Sequence, residues 1–179
     1  MERYLQFVAI LRRLDRKALA ELRRSLAFDP GTYPRVFPYV EPFISRESER
    51  RSFYLLAGLF ALHPDGGGSL GTDSGSATRK RTSLGEVVAQ LYARRDRSRS
   101  IEQRFITLLD ADQDQLPYRL RQMISLLKAE QIPVDWGQLL GDLLYWASER
   151  RTVQQRWARD FYRVSESAID NATEKEGGS

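Results

Sequence analysis

The chain has 179 residues and a mass of 20.7 kDa, which is enough for one domain or for two small lobes that share a core. It has no cysteine and one histidine, which excludes disulfides, thiolate catalysis, cysteine-ligated metals and multi-histidine metal sites. No apolar run approaches the roughly 20 residues that a membrane-spanning helix needs, so we expect a cytoplasmic protein with no membrane partner.

Arginine dominates the charge of the chain. Of the 28 basic residues 24 are arginine, and with 24 acidic residues the net charge is +4. Without the acidic tail over residues 166–179, 27 basic and 20 acidic residues remain, which is near +7. Because a guanidinium can hold two phosphate oxygens at once, this composition favours a nucleic-acid partner. An arginine-preferring codon usage would give the same composition.

The first half of the chain predicts helices around one aromatic, proline-rich stretch. Apolar residues at helical spacing predict a helix over 7–14 and a second over 15–27, and Asp29-Pro-Gly then breaks the chain. Residues 34–43 predict a short helix and a packed loop. A helix that starts near Ser45 is apolar on almost every face over 53–62, so we expect it to be central and buried. A glycine-rich loop follows over 64–78.

The second half predicts five more helices and no strand. They run from about 83 to 94, from a capping box at Ser100–Gln103, over 116–129, from a cap at Asp135, and over 149–165. The fold class is therefore all-α, a bundle of about eight to nine helices. We expect one domain over 1–165 in two lobes, 1–95 and 96–165, and a disordered tail over 166–179.

Three arginines share one face of the last predicted helix. At ~100° per residue, Arg156, Arg159 and Arg163 fall within ~60° of one another, with Asp160 as the only acid near them. Such a stripe matches the charge spacing of a nucleic-acid backbone. The plainer interpretation is a solvated charged face, although such faces usually mix both signs.

Two arginines of the 116–129 helix differ in their expected surroundings. Arg119 lies inside the apolar arc of the helix, and a buried arginine costs several kcal/mol unless it is paired. We therefore expect either an ion pair with Asp110 or Asp112, or projection into a groove between the lobes. Arg121 points outward, where it can meet a phosphate directly.

No motif in the chain carries catalytic chemistry. We find no nucleophile beside a base, no carboxylate pair with a defined geometry and no phosphate-binding Walker loop. The sequence therefore predicts a protein that is not an enzyme, with no catalytic residue, cofactor or metal.

The order of short motifs resembles one known family over residues 3–163. The chain is similar to the CasB family, the small subunit of Cascade, which is the type I-E CRISPR surveillance complex. The motifs that carry the resemblance are RRSLAFDPGTYPR (23–35), PYVEPF (38–43), YLLAGLFAL (54–62), SIEQRF (100–105), LLDAD (108–112), LPYRLRQ (116–122), VDW (134–136), DLLYW (142–146) and RWARDFY (156–162).

This resemblance implies a non-catalytic subunit that binds nucleic acid without sequence preference. Two copies would lie head to tail against the repeated backbone subunits and the large subunit. They would stabilise the R-loop, in which the CRISPR RNA (crRNA) pairs with the target DNA strand and the other strand is displaced. The candidate nucleic-acid-binding residues are the arginines in or beside the matching motifs: Arg23, Arg24, Arg35, Arg51, Arg104, Arg119, Arg121, Arg156 and Arg159.

Two other functions fit the same residues. The chain could be a helical assembly adaptor whose arginines contact acidic protein surfaces. It could also be a stand-alone nucleic-acid-binding protein, although no helix-turn-helix with a base-reading helix is visible.

Overall fold

The computed structural model describes residues 2–64 and 81–176, with side chains up to residue 166. Within those ranges the chain forms nine α-helices, two 3₁₀ turns (Pro34–Val36 and Glu41–Phe43) and no strand, which confirms the all-α prediction. None of the helices in these ranges is both long and apolar enough to span a bilayer. The α-helices are α1 (Glu2–Leu11), α2 (Arg16–Ser25), α3 (Phe37–Val40), α4 (Glu47–Leu62), α5 (Leu84–Arg94), α6 (Arg99–Asp110), α7 (Leu116–Ala129), α8 (Trp136–Leu144) and α9 (Thr152–Glu176).

Helix α4 is the centre of the fold. Every residue from Phe53 to Ala61 is buried, as its apolar sequence predicts, and α2, α7 and α8 pack against it. Buried side chains from α1 to α9 form one continuous hydrophobic cluster. The helices that carry the candidate arginines are therefore anchored in a common core.

The aromatic stretch between α2 and α4 packs back onto α4. Tyr54 of α4 donates a 2.7 Å hydrogen bond to Glu41, which also pairs with Arg50. The Arg50 guanidinium lies over the rings of Phe37 and Tyr54, 5.2 and 5.1 Å from their centroids. Burial, followed by the bond to Glu41, raises the pKa of the Tyr54 hydroxyl. These contacts fix the predicted packed loop on the core.

Helices α5 and α9 approach each other unusually closely. The point of contact is Gly85, where a Cβ would lie 2.1 Å from the carbonyl oxygen of Trp157. The predicted lobe boundary near residue 95 thus separates two helices in extensive contact. The division into two lobes stays a prediction.

The helix starts match the sequence at two places and differ at a third. Asp135 caps α8 as predicted, accepting a 2.9 Å hydrogen bond from the Gln138 amide. The capping box predicted at Ser100 is wrong, because α6 already begins at Arg99 after an N-cap residue, Ser98, that makes no side-chain cap bond. The start predicted near residue 83 is confirmed, and Ser83 forms a capping box there.

The last helix is longer than predicted. Its backbone remains helical to Glu176, past the expected end near Ser165. The disorder of the tail 166–179 stays a prediction. The glycine-rich loop 64–78 lies outside the described residues except for Pro64.

Candidate nucleic-acid interface

Arg156 contacts a buried carboxylate rather than an open surface. Its guanidinium donates to Asp142 of α8, a residue that is only 3% exposed. Asp142 also accepts hydrogen bonds from Trp157 Nε1 at 2.6 Å and Gln138 Nε2 at 2.7 Å. Because a core carboxylate already neutralises its charge, Arg156 is a weak candidate for phosphate binding.

The three arginines of the predicted stripe on α9 therefore differ in whether an acid of the same chain pairs with them. Arg163 donates a 3.3 Å hydrogen bond to Asp160 and lies 3.7 Å from Glu86. Arg159 is exposed, and within the described residues no carboxylate lies at ion-pair distance from it. Of the three cations expected to act together, Arg159 alone is not neutralised by a described acid.

A second group of candidates surrounds Glu21 of α2. Its carboxylate lies 3.7 Å from Arg24 and 3.5 Å from Arg35, and it accepts a 2.7 Å hydrogen bond from the Tyr33 hydroxyl. The hydrogen bond from Tyr33 is the main cause that holds the pKa of Glu21 below its usual value. The two guanidiniums lower this pKa further, while burial opposes the shift. Both guanidiniums are largely exposed. Arg23, beside them, is exposed and has no acidic partner in the described part of the chain.

Arg51 fastens two loops together. It donates to Asp29 after α2, at 3.2 Å, and to the Gln113 carbonyl oxygen before α7, at 3.1 Å. The Asp114 carboxylate lies 3.3 Å from the same guanidinium. With these three acceptors in place, Arg51 stabilises the fold, and its proposed role in nucleic-acid binding has no support from its surroundings.

Arg104 and Arg119 are brought together in a cleft between α6 and α7, here called the α6–α7 cleft. Its volume is about 310 Å³, every side chain that lines it is polar, and its only charges are positive. In the described ranges neither arginine has a carboxylate at ion-pair distance, and the buried Nε of Arg119 has no hydrogen-bond partner. The cleft is lined by Ser100, Gln103, Arg104 and Thr107 of α6 and by Arg119 and Gln122 of α7.

The predicted ion pair of Arg119 with Asp110 or Asp112 is not formed. The side chain lies in a groove, but this groove is between α6 and α7, which both belong to the predicted lobe 96–165, and not between the two predicted lobes. Asp110 instead lies 3.8 Å from Arg151. Asp112 accepts the backbone N–H groups of Asp114 and Gln115, at 3.0 and 2.8 Å, and so holds the turn before α7. With both acids turned away, the Arg119 side chain lies in the cleft between two neighbouring helices.

The uncharged lining of the cleft was not predicted, although the sequence contains its signal. Ser100, Gln103, Arg104 and Thr107 follow the i, i+3, i+4, i+7 spacing of one helix face, on a different side of α6 from its buried apolar residues. The Thr107 hydroxyl donates to the Gln103 carbonyl oxygen at 2.8 Å and keeps its lone pairs as acceptors. The cleft therefore combines two cations with hydroxyl and amide groups, the side-chain set that contacts phosphate and sugar oxygens.

Arg121 is exposed as predicted but does not line the cleft. It is two residues from Arg119, so at ~100° per residue it projects from the opposite side of α7. No acidic partner for it occurs in the described part of the chain. The nine candidates thus form separate surfaces rather than one continuous stripe.

Three comparisons with known proteins agree with one another. The family model of CRISPR-associated protein Cse2 matches residues 18–162. A CRISPR-associated protein Cse2 of Thermus thermophilus is 42% identical over 163 residues, which are 89% of this chain and 86% of that protein. The crystal structure of M. ruber CasB is similar with a TM-score of 0.77 and 43% identity, covering 99% of this chain and 98% of the other.

A fourth likeness concerns the fold alone. One chain in a structure described as a CRISPR RNA-guided surveillance complex superposes with a TM-score of 0.81 at 24% identity. The match covers 96% of the chain described here and 98% of the other.

Proposed function

The chain belongs to the CRISPR-associated Cse2 family, also called CasB, and on that premise we propose that it is a non-catalytic small subunit of a type I-E Cascade. In this role it binds the nucleic-acid backbone without sequence preference and stabilises the R-loop. Its partners are the backbone and large subunits, a second copy of itself, the crRNA and both strands of the target DNA. The complex acts in the cytoplasm.

The α6–α7 cleft carries this proposal. Arg104 and Arg119 have no carboxylate to neutralise them within the described ranges, and the cleft holds no negative charge. Two guanidiniums beside hydroxyl and amide groups suit a phosphodiester, which is negatively charged and rich in hydrogen-bond acceptors.

Such contacts are sufficient to influence an R-loop. The crRNA–DNA duplex is about as stable as the DNA duplex that it replaces, so contacts from protein to the backbone can decide whether the R-loop persists. Contacts that ignore base identity serve this purpose at every target. The likeness of this fold to a chain in a surveillance complex supports the same setting.

A second candidate function is the assembly adaptor. Arg24, Arg35, Arg51 and Arg156 all contact carboxylates within this chain. The arginines without a described acidic partner, such as Arg104 and Arg119, would bind carboxylates of a neighbouring acidic subunit in the same way.

Charge reversal in the cleft separates the two candidates. We expect Arg104→Glu with Arg119→Glu to leave assembly of the crRNA-containing complex intact and to weaken its target-DNA binding at least about tenfold, since charged contacts contribute about 1.5–3 kcal/mol each. Subunit co-purification measures the first quantity, and a DNA titration of the purified complex measures the second.

Lys128→Glu is the matched control. Lys128 is exposed on α7, about 180° from Arg119, and its reversal changes the charge without touching the cleft. Loss of assembly in the double variant would favour the adaptor. Unchanged DNA binding by a fully assembled complex would refute phosphate binding in the cleft.

A further inference from the structure

Tyr118 stands at the rim of the α6–α7 cleft with most of its surface open. It is the second residue after Leu116, at the start of α7, and it is 59% exposed, among the most exposed large hydrophobic side chains of the described part of the chain. Exposed tyrosine offers a flat, apolar face with little conformational freedom to lose, which suits contact with another planar group.

Two residues of the cleft hold this ring in place. The Arg119 guanidinium lies over it, with Cζ 5.5 Å from the ring centroid, within cation–π distance. Gln122 donates a 2.8 Å hydrogen bond from Nε2 to the Tyr118 hydroxyl. Since both contacting residues also line the cleft, the ring orientation is tied to the positions of the phosphate-binding groups.

This arrangement places a stacking surface next to a phosphate site. The Arg119 guanidinium lies over the Tyr118 ring, and 59% of the tyrosine nevertheless remains exposed to solvent. A nucleotide whose phosphate is held by Arg104 and Arg119 has its own base attached one sugar away. An unpaired base can leave its neighbours and stack on an aromatic ring, whereas a base in a duplex is already stacked on both sides.

We infer that Tyr118 stacks on an unpaired base and thereby makes the α6–α7 cleft prefer single-stranded nucleic acid to duplex. This inference rests on the proposed function, because it requires the phosphate to be bound first. In an R-loop the displaced strand offers unpaired bases and the guide–target duplex does not. The cleft would accordingly hold a single strand, with Arg104 and Arg119 on the backbone and Tyr118 on a base.

The test compares three labelled probes of one sequence: a single-stranded DNA, the same strand with abasic sites, and the duplex. Fluorescence anisotropy at constant low salt gives the affinity of the full chain for each. We expect Tyr118→Ala to weaken binding of the single strand about 5- to 100-fold, the range for one base stacked on an aromatic ring. Binding of the duplex should change less than twofold, and the wild type should bind the abasic strand as weakly as Tyr118→Ala binds the intact one.

Two further variants separate the ring from its hydroxyl and from general surface effects. Tyr118→Phe keeps the ring but loses the bond from Gln122, and should retain the preference for single strands. Tyr145→Ala removes another tyrosine, 66% exposed at the end of α8, and should change nothing.

The outcomes distinguish failure of this inference from failure of the proposed function. If Tyr118→Ala weakens single strand and duplex equally, or neither, the stacking role is overturned while phosphate binding stands. If the wild type binds none of the three probes, or if the Arg104→Glu, Arg119→Glu pair binds all of them like the wild type, the proposed function fails, and the inference fails with it.

Discussion

Arg156 and Arg159 lie one turn apart on α9 and meet opposite surroundings. The first contacts Asp142, a carboxylate that is almost fully buried and that also binds Trp157 and Gln138. The second is exposed and has no acidic partner in the described part of the chain. At the scale of single residues, the partner of each arginine decides whether its charge neutralises a buried carboxylate or remains available to a ligand.

This difference predicts opposite effects of the same substitution. Arg156→Glu places a second carboxylate beside Asp142 and removes its partner, so we expect the free energy of unfolding to fall by roughly 3 kcal/mol, the lower end for breaking a buried pair, because the arginine itself is 43% exposed. Arg159→Glu should stay within about 0.5 kcal/mol of the wild type, as surface substitutions do. Urea denaturation measures both, and equal midpoints for the two variants would contradict the assignment.

The sequence could not identify the partner of Arg156. The acid visible at helical spacing was Asp160, which instead accepts a 2.7 Å hydrogen bond from Ser83 and contacts Arg163. The real partner, Asp142, comes from another helix, α8, and meets the Arg156 and Trp157 side chains of α9 only in the folded chain. The surroundings of Arg119 were unpredictable for the same reason. Its position in the apolar arc of α7 can be derived from one helix, whereas the cleft that holds its side chain is formed by two helices.

At the scale of helices, the most extensive contact between two described helices is that between α5 and α9. Gly85 has no side chain, and this allows α5 to lie against the main chain of Trp157, since a Cβ there would lie 2.1 Å from its carbonyl oxygen and 2.8 Å from its Cα. Backbone atoms cannot rotate away as a side chain can. The pairing of these helices therefore depends on the glycine.

Alanine substitution tests this dependence. We expect Gly85→Ala to lower the free energy of unfolding by about 2–3 kcal/mol, because overpacking against a fixed backbone forces the helices apart. Gly141→Ala in α8 is the matched control: its Cβ would meet only the Tyr4 ring, at 3.9 Å, so helix propensity should make it neutral or stabilising by up to about 1 kcal/mol. Thermal denaturation measures both, and a Gly85→Ala protein as stable as the wild type would contradict the close packing.

The presence of the helices was easier to predict from the sequence than the residues at which they begin and end. The central position of α4 followed from its uniformly apolar residues, and the Asp135 cap followed from one side chain and its neighbour three residues on. The Ser100 capping box failed because its pattern occurs by chance inside a helix that has already begun. Local sequence patterns thus identify helices well. They locate the helix ends less well, because neighbouring residues can each fit the pattern of a helix start or a helix end.

At the scale of the whole molecule, the number of arginines overstates the positive charge that is available to a ligand. The chain has 24 arginines, yet several of the candidate arginines are paired with acids of the same chain. What remains near the α6–α7 cleft is a small set of cations without described acidic partners. Composition and motif order were sufficient to indicate the family, which the comparisons confirm. They did not indicate the cleft, because its residues converge only through the packing of α6 on α7.

The most direct test of the central claim is a salt series of oligonucleotide binding by the full chain. The logarithm of the affinity should fall linearly with the logarithm of the salt concentration, by about 0.7 for each phosphate neutralised on a single strand. If Arg104 and Arg119 hold phosphate, the slope of the Arg104→Glu, Arg119→Glu variant should be shallower by roughly 0.7–1.4, the share of one or two phosphates. The Lys128→Glu slope should match that of the wild type, and an unchanged slope in the double variant would contradict phosphate binding in the α6–α7 cleft.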